Sequence, residues 1–233
     1  MIGGDLMDRT EKAYEKIIYF VEDNILQGKY KRGDKLPPER DLALQLGLSR
    51  NSVREGISIL ERMGALTSIQ GAGNFISSNF DKTLIELMSL MFMLENETFT
   101  EVSEFRYALE YQALSLAIKN VTDEQIEQME YYAEKLASSP YESERVYYDK
   151  QIHYKIAEAS CNRLIIDNLI ALTEVMDIFI KDMRARILSD GDNSEGLLKS
   201  HVNMVRAVKN RDLKMGRKAL DEHFSYIYAY LDK

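Results

Sequence analysis

The chain has 233 residues and a net charge of −8. Its composition, 45% hydrophobic and 29% charged residues, is that of a globular protein, and its length suits one large or two modest domains. Its 12 glycines and 3 prolines argue against a disordered or collagen-like chain and favour helices. The single cysteine excludes an internal disulfide framework and a cysteine-rich zinc module, and it fits a reducing cytoplasm.

The most apolar run, residues 84–94, contains Glu86 and is too short to cross a bilayer. We therefore expect a cytoplasmic protein without a membrane partner.

The negative charge is confined to the second part of the chain. Residues 1–78 hold 11 basic and 11 acidic side chains, whereas residues 79–233 hold 19 and 27. This asymmetry predicts a binding module at residues 8–78, joined to an acidic domain at residues 79–233. Phosphate binding depends on local potential, so the overall acidity does not exclude nucleic acid as a partner.

The first part of the chain predicts a helix-turn-helix. Apolar residues at helical spacing predict a first helix within residues 10–26. A second helix is predicted from Pro38, a residue suited to the first helical turn, to Gly47. Ser49 offers an N-cap to a third helix that starts near Arg50. Two short helices around a glycine-containing turn form this motif.

A β-hairpin is predicted directly after the third helix. The runs 65–70 and 74–77 are apolar and prone to form strands, and Gly71-Ala72-Gly73 separates them. Such a pattern is typical of two strands joined by a tight turn. A hairpin in this place is the wing of a winged helix-turn-helix.

The polar face of the third helix is a candidate for DNA binding. Arg50 and Arg54 are four residues apart and share one helical face, where Asn51 and Ser52 lie nearby. Arginine can bind guanine or phosphate through two hydrogen bonds, and serine and asparagine can add base or phosphate contacts. A solvated helix with ordinary salt bridges is the alternative, and the order of the surrounding elements favours DNA binding.

This part of the chain resembles the DNA-binding domain of the GntR superfamily. The resemblance is carried by Gly28-Lys-Tyr30, Gly33-Asp-Lys-Leu-Pro-Pro-Glu-Arg-Asp-Leu-Ala43, Leu46-Gly-Leu-Ser-Arg-Asn-Ser-Val-Arg-Glu55 and the wing Gln70-Gly-Ala-Gly-Asn-Phe75. It implies that Arg40, Arg50 and Arg54 contact operator DNA and that the wing glycines approach the minor groove or backbone. The candidate DNA-binding residues are Arg40, Ser49, Arg50, Asn51, Ser52, Arg54, Gln70, Gly71 and Gly73. Asn51 stands where the family more often has threonine, and Gly56 where alanine is common.

The rest of the chain predicts helices alone, so the fold class is mostly α. Seven helices joined by short connections predict an antiparallel all-α bundle of six or seven helices. Their predicted ranges are Lys82–Glu95, Thr100–Lys119, Asp123–Ala137, Glu142–Ala159, Arg163–Leu188, Ser194–Lys209 and Leu213–Leu231.

All three histidines of the chain lie in this helical part, on three different predicted helices. Asp149 precedes His153 by four residues and therefore shares its helical face. Together with His201 and His223 these residues could bind a divalent metal inside the bundle. The alternative is that each histidine is a hydrogen-bonded core residue, because spacing does not show that they converge.

The helical part resembles the FCD effector domain of the FadR subfamily. The resemblance rests on Glu104-Phe-Arg106, Leu109-Glu110, Asp149-x-x-x-His153, Ala159-Ser-Cys-Asn162, His201 and Asp221-Glu-His223. It implies that Asp149, His153, His201 and His223 bind a metal ion under a small carboxylate. Zinc is the expected ion, with nickel, manganese and iron as alternatives. The family variant that lacks the histidines and binds acyl thioesters is disfavoured.

Two further residues are candidates for effector binding. Arg106 could bind a carboxylate through two hydrogen bonds, or it could form a salt bridge with Glu110 four residues away. Asn162 could contact the ligand, or it could cap the helix that follows it.

These features predict a homodimeric transcriptional regulator, a repressor by family resemblance, that binds double-stranded operator DNA and a small organic-acid effector at the metal site. It is not expected to be an enzyme. One alternative is a metal-dependent enzyme, which leaves the first 78 residues without a role. Another is a DNA-binding protein whose metal is purely structural.

Overall fold

The computed structural model describes residues 12–77, 81–95, 99–177 and 191–231. The chain divides into two compact units, residues 1–83 and 84–233. The predicted domain limits, 8–78 and 79–233, stay a prediction. The described residues form ten helices and one two-stranded sheet, which confirms the mostly α fold class.

The first unit contains three helices and the two strands: α1 (Glu15–Leu26), α2 (Glu39–Leu46), α3 (Arg50–Arg62), β1 (Leu66–Ile69) and β2 (Gly73–Ile76). Its core consists of one apolar side of each element, together with Leu36 from the connection before α2: Ile17, Val21, Leu36, Leu42, Ala43, Val53, Ile57, Leu60, Leu66 and Ile76. These positions follow the helical and strand periods seen in the sequence. The core fixes α3 against α1 and leaves the polar face of α3 exposed.

In the helix-turn-helix, both ends of α2 and the start of α3 lie within one residue of the predicted positions. Gly47 ends α2 in the left-handed conformation, at φ 64°. Ser49 is the N-cap of α3, and its Oγ accepts a hydrogen bond of 3.1 Å from the Ser52 amide. Pro38 is the N-cap of α2 rather than part of its first turn, a shift of one residue that keeps its fixed φ compatible with the helix start.

Gly56 allows α3 to approach α1 closely. An added Cβ would lie 1.7 Å from Ile17 Cγ2 and 2.9 Å from the Tyr14 carbonyl oxygen. The absence of alanine at this position therefore has a packing reason inside the first unit.

Helix α4 (Asp81–Glu95) contains the division between the units, and the second unit continues with six helices. They are α5 (Phe99–Asn120), α6 (Asp123–Ser138), α7 (Glu142–Ala159), α8 (Arg163–Val175), α9 (Gly191–Lys209) and α10 (Leu213–Leu231). Helix α9 packs on α10 and α6, and α5 packs on α7, α8 and α10. Four of these helices, α5, α7, α9 and α10, therefore meet around a common interior.

Side-chain caps mark several helix starts in this unit. Thr122 and Gln125 form a capping box at α6. Asp212 Oδ1 accepts from the Met215 amide at 2.9 Å in the first turn of α10. Asn162 Oδ1 accepts from the Ile165 amide at 3.3 Å and caps α8.

Two predicted helix ranges need correction. Helix α8 ends at Val175, not at the predicted Leu188. The prediction was too long because the apolar periodicity of the sequence continues past Met176, where the backbone leaves the helix. Residues 178–188 lie outside the described part. Helix α9 starts at Gly191, three residues before the predicted Ser194. The predicted start lies too late because Gly191, Asp192 and Asn193 do not continue the apolar period, although an acidic residue suits a first helical turn.

Within these described ranges, no helix is long and apolar enough to cross a membrane.

Candidate metal centre and nucleic-acid interface

The three histidines and Asp149 come together inside the second unit. Asp149 and His153 lie one turn apart on α7, while α9 supplies His201 and α10 supplies His223. All four side chains are buried. The three imidazole ring centroids are 4.6–5.2 Å apart. The bundle thus converts three positions distant in sequence into one cluster.

The ligating atoms of this cluster are close enough to share one ion. His153 Nε2 lies 3.2 Å from His201 Nε2. The two carboxylate oxygens of Asp149 lie 3.6 Å from His153 Nε2 and 3.3 Å from His201 Nε2. One ring nitrogen of each histidine lies within 4.8 Å of the others.

Hydrogen bonds fix the tautomer of two imidazoles. His153 Nδ1 lies 2.7 Å from Glu110 Oε2, and His201 Nδ1 lies 2.9 Å from the Leu197 carbonyl oxygen. A carboxylate and a carbonyl oxygen only accept, so both Nδ1 atoms carry the hydrogen and donate it. In the neutral rings both Nε2 atoms therefore carry no hydrogen and have a free lone pair.

The third imidazole is oriented in the same sense. Ser200 Oγ donates to the Leu197 carbonyl oxygen at 2.6 Å, which leaves its lone pairs to accept from His223 Nδ1 at 3.4 Å. His223 Nε2 is buried and has no hydrogen-bond partner in the described part of the chain. A metal ion bound to the cluster would use the lone pair of this nitrogen.

This donor set fits a divalent cation. Two imidazole lone pairs 3.2 Å apart, with a carboxylate beside them, repel one another unless a positive charge lies between them. Two nitrogens bound to one zinc ion at 2.0–2.1 Å are separated by about 2.9–3.4 Å at angles of 90–109°. Imidazole and carboxylate are ligands that zinc, nickel, manganese and iron accept.

Burial favours the uncharged form of His223. Its pKa lies well below the usual 6.5 because of that burial, reinforced by His201 and His153. A neutral imidazole is the form that binds a metal. The site thus holds His223 in a form ready to act as a ligand.

Glu110 is a member of the site that the sequence reasoning missed. Its buried carboxylate accepts from Arg106 Nε at 2.6 Å through Oε1 and from His153 Nδ1 at 2.7 Å through Oε2. Burial alone would raise its pKa, but Arg106 and His153 outweigh burial and lower that pKa to about 2. The available signal in the sequence was a charged residue among the buried positions of α5. Spacing could not identify its histidine partner, which is 43 residues away.

Arg106 forms the salt bridge that the sequence allowed, but inside the protein rather than on its surface. Only its Nε is used by Glu110. No hydrogen bond joins its two terminal nitrogens to another residue in the ranges given above. The guanidinium Cζ lies 5.8 Å from the ring centroid of Phe224, the neighbour of His223. A role of Arg106 in effector binding stays a prediction.

Asn162 serves as the N-cap of α8, as the structural alternative predicted. Its side chain forms no hydrogen bond to Asp149 or to the histidines within the described ranges. A role in effector binding stays a prediction.

In the first unit, the candidate DNA-binding residues lie on α2, on α3 with its N-cap, and at the turn between the two strands. Arg50, Asn51 and Arg54 are exposed on α3, and Ser52 is half-buried. Ser49 is committed to capping that helix through its Oγ. Arg54 Nε donates to Glu39 Oε2 at 2.7 Å, which ties the side chain to the first turn of α2.

Arg40 and the hairpin flank this helix. Arg40 is exposed and lies 3.5 Å from Asp41. Strands β1 and β2 are antiparallel, with Leu66 paired to Ile76 at one end and Ile69 paired to Gly73 at the other. Gln70, Gly71 and Gly73 are exposed at the connecting turn. The turn requires glycine, since φ is 75° at Gly71 and 112° at Gly73.

Two family models match the chain, one in each unit. The model of bacterial regulatory proteins of the gntR family matches residues 13–76. The FCD domain model matches residues 101–226, which is more than half of the chain.

Curated relatives have the names of regulators. The "Putative L-lactate dehydrogenase operon regulatory protein" of Escherichia coli (strain K12) is 28% identical over 229 residues, which is 96% of this chain and 86% of the relative. The "HTH-type transcriptional regulator LutR" of Bacillus subtilis (strain 168) is 24% identical over 208 residues, or 87% of this chain and 94% of that protein. These names and the family set aside the alternative of a metal-dependent enzyme.

Among solved structures, "Streptococcus agalactiae GntR" matches with a TM-score of 0.65 at 21% identity, covering 94% of this chain and 98% of that one. This likeness supports the fold alone.

Proposed function

Because the chain belongs to the GntR family of bacterial regulatory proteins and carries an FCD domain, we propose that it is a homodimeric repressor controlled by a small organic acid. The family makes it a DNA-binding transcriptional regulator. Repression, the dimer, the metal and the effector are the content of the proposal. We place the regulator in the cytoplasm with its operator.

The observation that carries the metal site is the common orientation of the three imidazoles. Each imidazole holds its Nδ1 toward an acceptor. The Nε2 atoms of His153 and His201 lie 3.2 Å apart with Asp149 beside both, and the buried His223 Nε2 has no hydrogen-bond partner in the described part of the chain. A set of core histidines would instead use Nε2 in hydrogen bonds to protein groups. We assign Asp149, His153, His201 and His223 as ligands, with zinc as the expected ion and nickel, manganese or iron as alternatives.

The effector is proposed to be a small carboxylate. A bound divalent ion would supply a Lewis-acid position for one carboxylate oxygen. Arg106 would bind the carboxylate through its terminal N–H groups, in the fork geometry that guanidinium offers. The name of one relative, which mentions the L-lactate dehydrogenase operon, makes L-lactate a sensible first probe.

For the DNA, α3 is proposed to lie in the major groove and the hairpin turn beside it. Arg50 and Arg54 would contact bases or phosphates, with Asn51 and Ser52 alongside. A two-fold dimer would read a palindromic operator. The effector would shift the population of dimers between those with high and low operator affinity.

The first experiment is elemental analysis of the full chain, purified untagged and without chelators. His201→Ala is compared with Lys199→Ala, an exposed residue one half-turn earlier on the same helix. We expect about one divalent ion per chain in the wild type and in Lys199→Ala, and none in His201→Ala. Protein that binds no ion when supplied with zinc would contradict the metal site.

A second measurement distinguishes an effector site from a purely structural metal. The melting temperature of the zinc-loaded protein is measured with L-lactate, glycolate and acetate, and the binding of a duplex selected in vitro by the protein is measured beside it. A ligand of the native state raises the melting temperature and should weaken duplex binding. A metal-dependent melting temperature that no carboxylate changes would favour the structural role.

A further inference from the structure

We propose that Glu110 is a positioning residue of the metal centre, which holds His153 as an Nε2 ligand with one oxygen and the Arg106 guanidinium with the other. The part that concerns the metal rests on the function proposed above. The part that concerns the tautomer of His153 does not.

The geometry places Glu110 between the two groups. Its Oε1 accepts from Arg106 Nε at 2.6 Å, and its Oε2 accepts from His153 Nδ1 at 2.7 Å. All three side chains are buried. One carboxylate group is thus shared by a residue of the same helix and a residue of α7.

The three imidazoles differ in the acceptor that faces Nδ1. His153 faces a carboxylate at 2.7 Å, His201 faces a backbone carbonyl at 2.9 Å, and His223 faces a hydroxyl at 3.4 Å. A hydrogen bond to a charged acceptor is the strongest of these and increases the basicity of the ring as a ligand. His153 is therefore the imidazole whose binding to a metal depends most on a residue outside the ligand set.

Arg106 makes this arrangement possible inside the protein. A buried carboxylate without a positive partner would be protonated or would destabilise the fold. Arg106 supplies that charge through Nε alone, so its other N–H groups stay available. An anion that binds there and a metal that binds His153 would act on the same carboxylate, so each would change the affinity of the other.

The first test measures the tautomer of His153 in metal-free full-length protein labelled with ¹⁵N-histidine, at pH 8. We expect a protonated Nδ1 with a downfield proton and an unprotonated Nε2. In Glu110→Gln the Nδ1 proton should move upfield, because an amide oxygen is a weaker acceptor. A wild-type His153 that is protonated at Nε2 would overturn the proposal, whether or not the protein binds metal.

The second test measures zinc affinity by competition with a chelator. The matched control is Glu104→Gln, which makes the same change at an exposed position of the same helix. We expect the zinc dissociation constant to rise about 10- to 100-fold in Glu110→Gln, the usual effect of removing a partner of a metal-binding histidine, and to stay unchanged in the control. A folded Glu110→Gln protein with wild-type affinity would contradict the positioning role.

If Glu110→Gln does not fold because Arg106 is left without a counter-charge, the double variant Arg106→Met, Glu110→Gln replaces both charges together. It should show the same loss of zinc affinity, since His153 again lacks the carboxylate. Wild-type affinity in the double variant would overturn the proposal. A wild-type protein that binds no zinc would instead contradict the proposed function, and the tautomer measurement would still decide the role of Glu110.

Discussion

Each unit of the molecule contains an arginine–glutamate pair with nearly the same nitrogen–oxygen distance. Arg54 Nε lies 2.7 Å from Glu39 in the first unit, and Arg106 Nε lies 2.6 Å from Glu110 in the second. The first pair is 65% and 34% exposed, whereas the second is 7% and 5% exposed. Equal distances therefore have unequal consequences, because water screens the first pair and desolvation makes the second dependent on both partners.

The largest effect is expected from Arg106→Ala. Removal of one partner of a buried pair leaves an uncompensated charge and should cost about 3–5 kcal/mol in the free energy of unfolding. Urea unfolding followed by circular dichroism measures this loss, with Arg62→Ala, exposed at the end of α3, as the control. A loss below about 1 kcal/mol would place the two pairs in the same class.

A smaller effect, on DNA affinity rather than stability, is expected from Arg50→Ala in the exposed region. Loss of a base or phosphate contact should weaken binding to a selected duplex by about 1–3 kcal/mol and relax the preference at one base position. Fluorescence anisotropy measures the affinity, and Arg62→Ala again serves as the control. Unchanged binding would mean that the exposed face of α3 is not the recognition surface.

Acid should destabilise the second unit of metal-depleted protein before the first. The pKa of His223 is lowered well below 6.5, so the unfolded chain takes up that proton first and stability falls as the pH drops below 6.5. The pKa of Glu110 is lowered from 4.5 to about 2, so a second loss follows between these two values. Each group contributes a slope of up to about 1.4 kcal/mol per pH unit.

Unfolding at pH 7.5, 6.5, 5.5 and 4.5 checks this expectation. Residues 1–78 contain no histidine, so a transition of the first unit should hardly move between pH 7.5 and 5.5. A second unit whose stability is also constant over this range would show that His223 is not held in its neutral form.

The smallest effect is expected from Glu39→Ala. The exposed pair with Arg54 should contribute no more than about 1 kcal/mol to stability, and less at high salt. Thermal unfolding at low and high salt measures it. A salt-independent loss of several kcal/mol, on the order of a buried pair, would contradict the argument from exposure.

Features that depend on neighbours in sequence were predictable from it. The Ser49 cap, the Thr122–Gln125 capping box and the hairpin turn at Gly71 are all local. The spacing of Arg106 and Glu110 also predicted their pair, but helical spacing does not reveal that both are buried.

Features that depend on the bundle were not predictable in this way. The convergence of the histidines came from resemblance, because nothing local joins positions 153, 201 and 223. The role of Glu110 requires α5 to lie against α7. This contact follows from tertiary packing.

The Leu197 carbonyl oxygen accepts from His201 Nδ1 and from Ser200 Oγ, which in turn faces His223 Nδ1. Two of the three imidazoles are thus oriented through an atom that every amino acid supplies. Genetic change at position 197 can alter the side chain but not this acceptor, provided that the helix is kept. Mutations that abolish metal binding should therefore be found at the residues that act through their side chains. Position 197 can change to other apolar residues and still orient the two imidazoles.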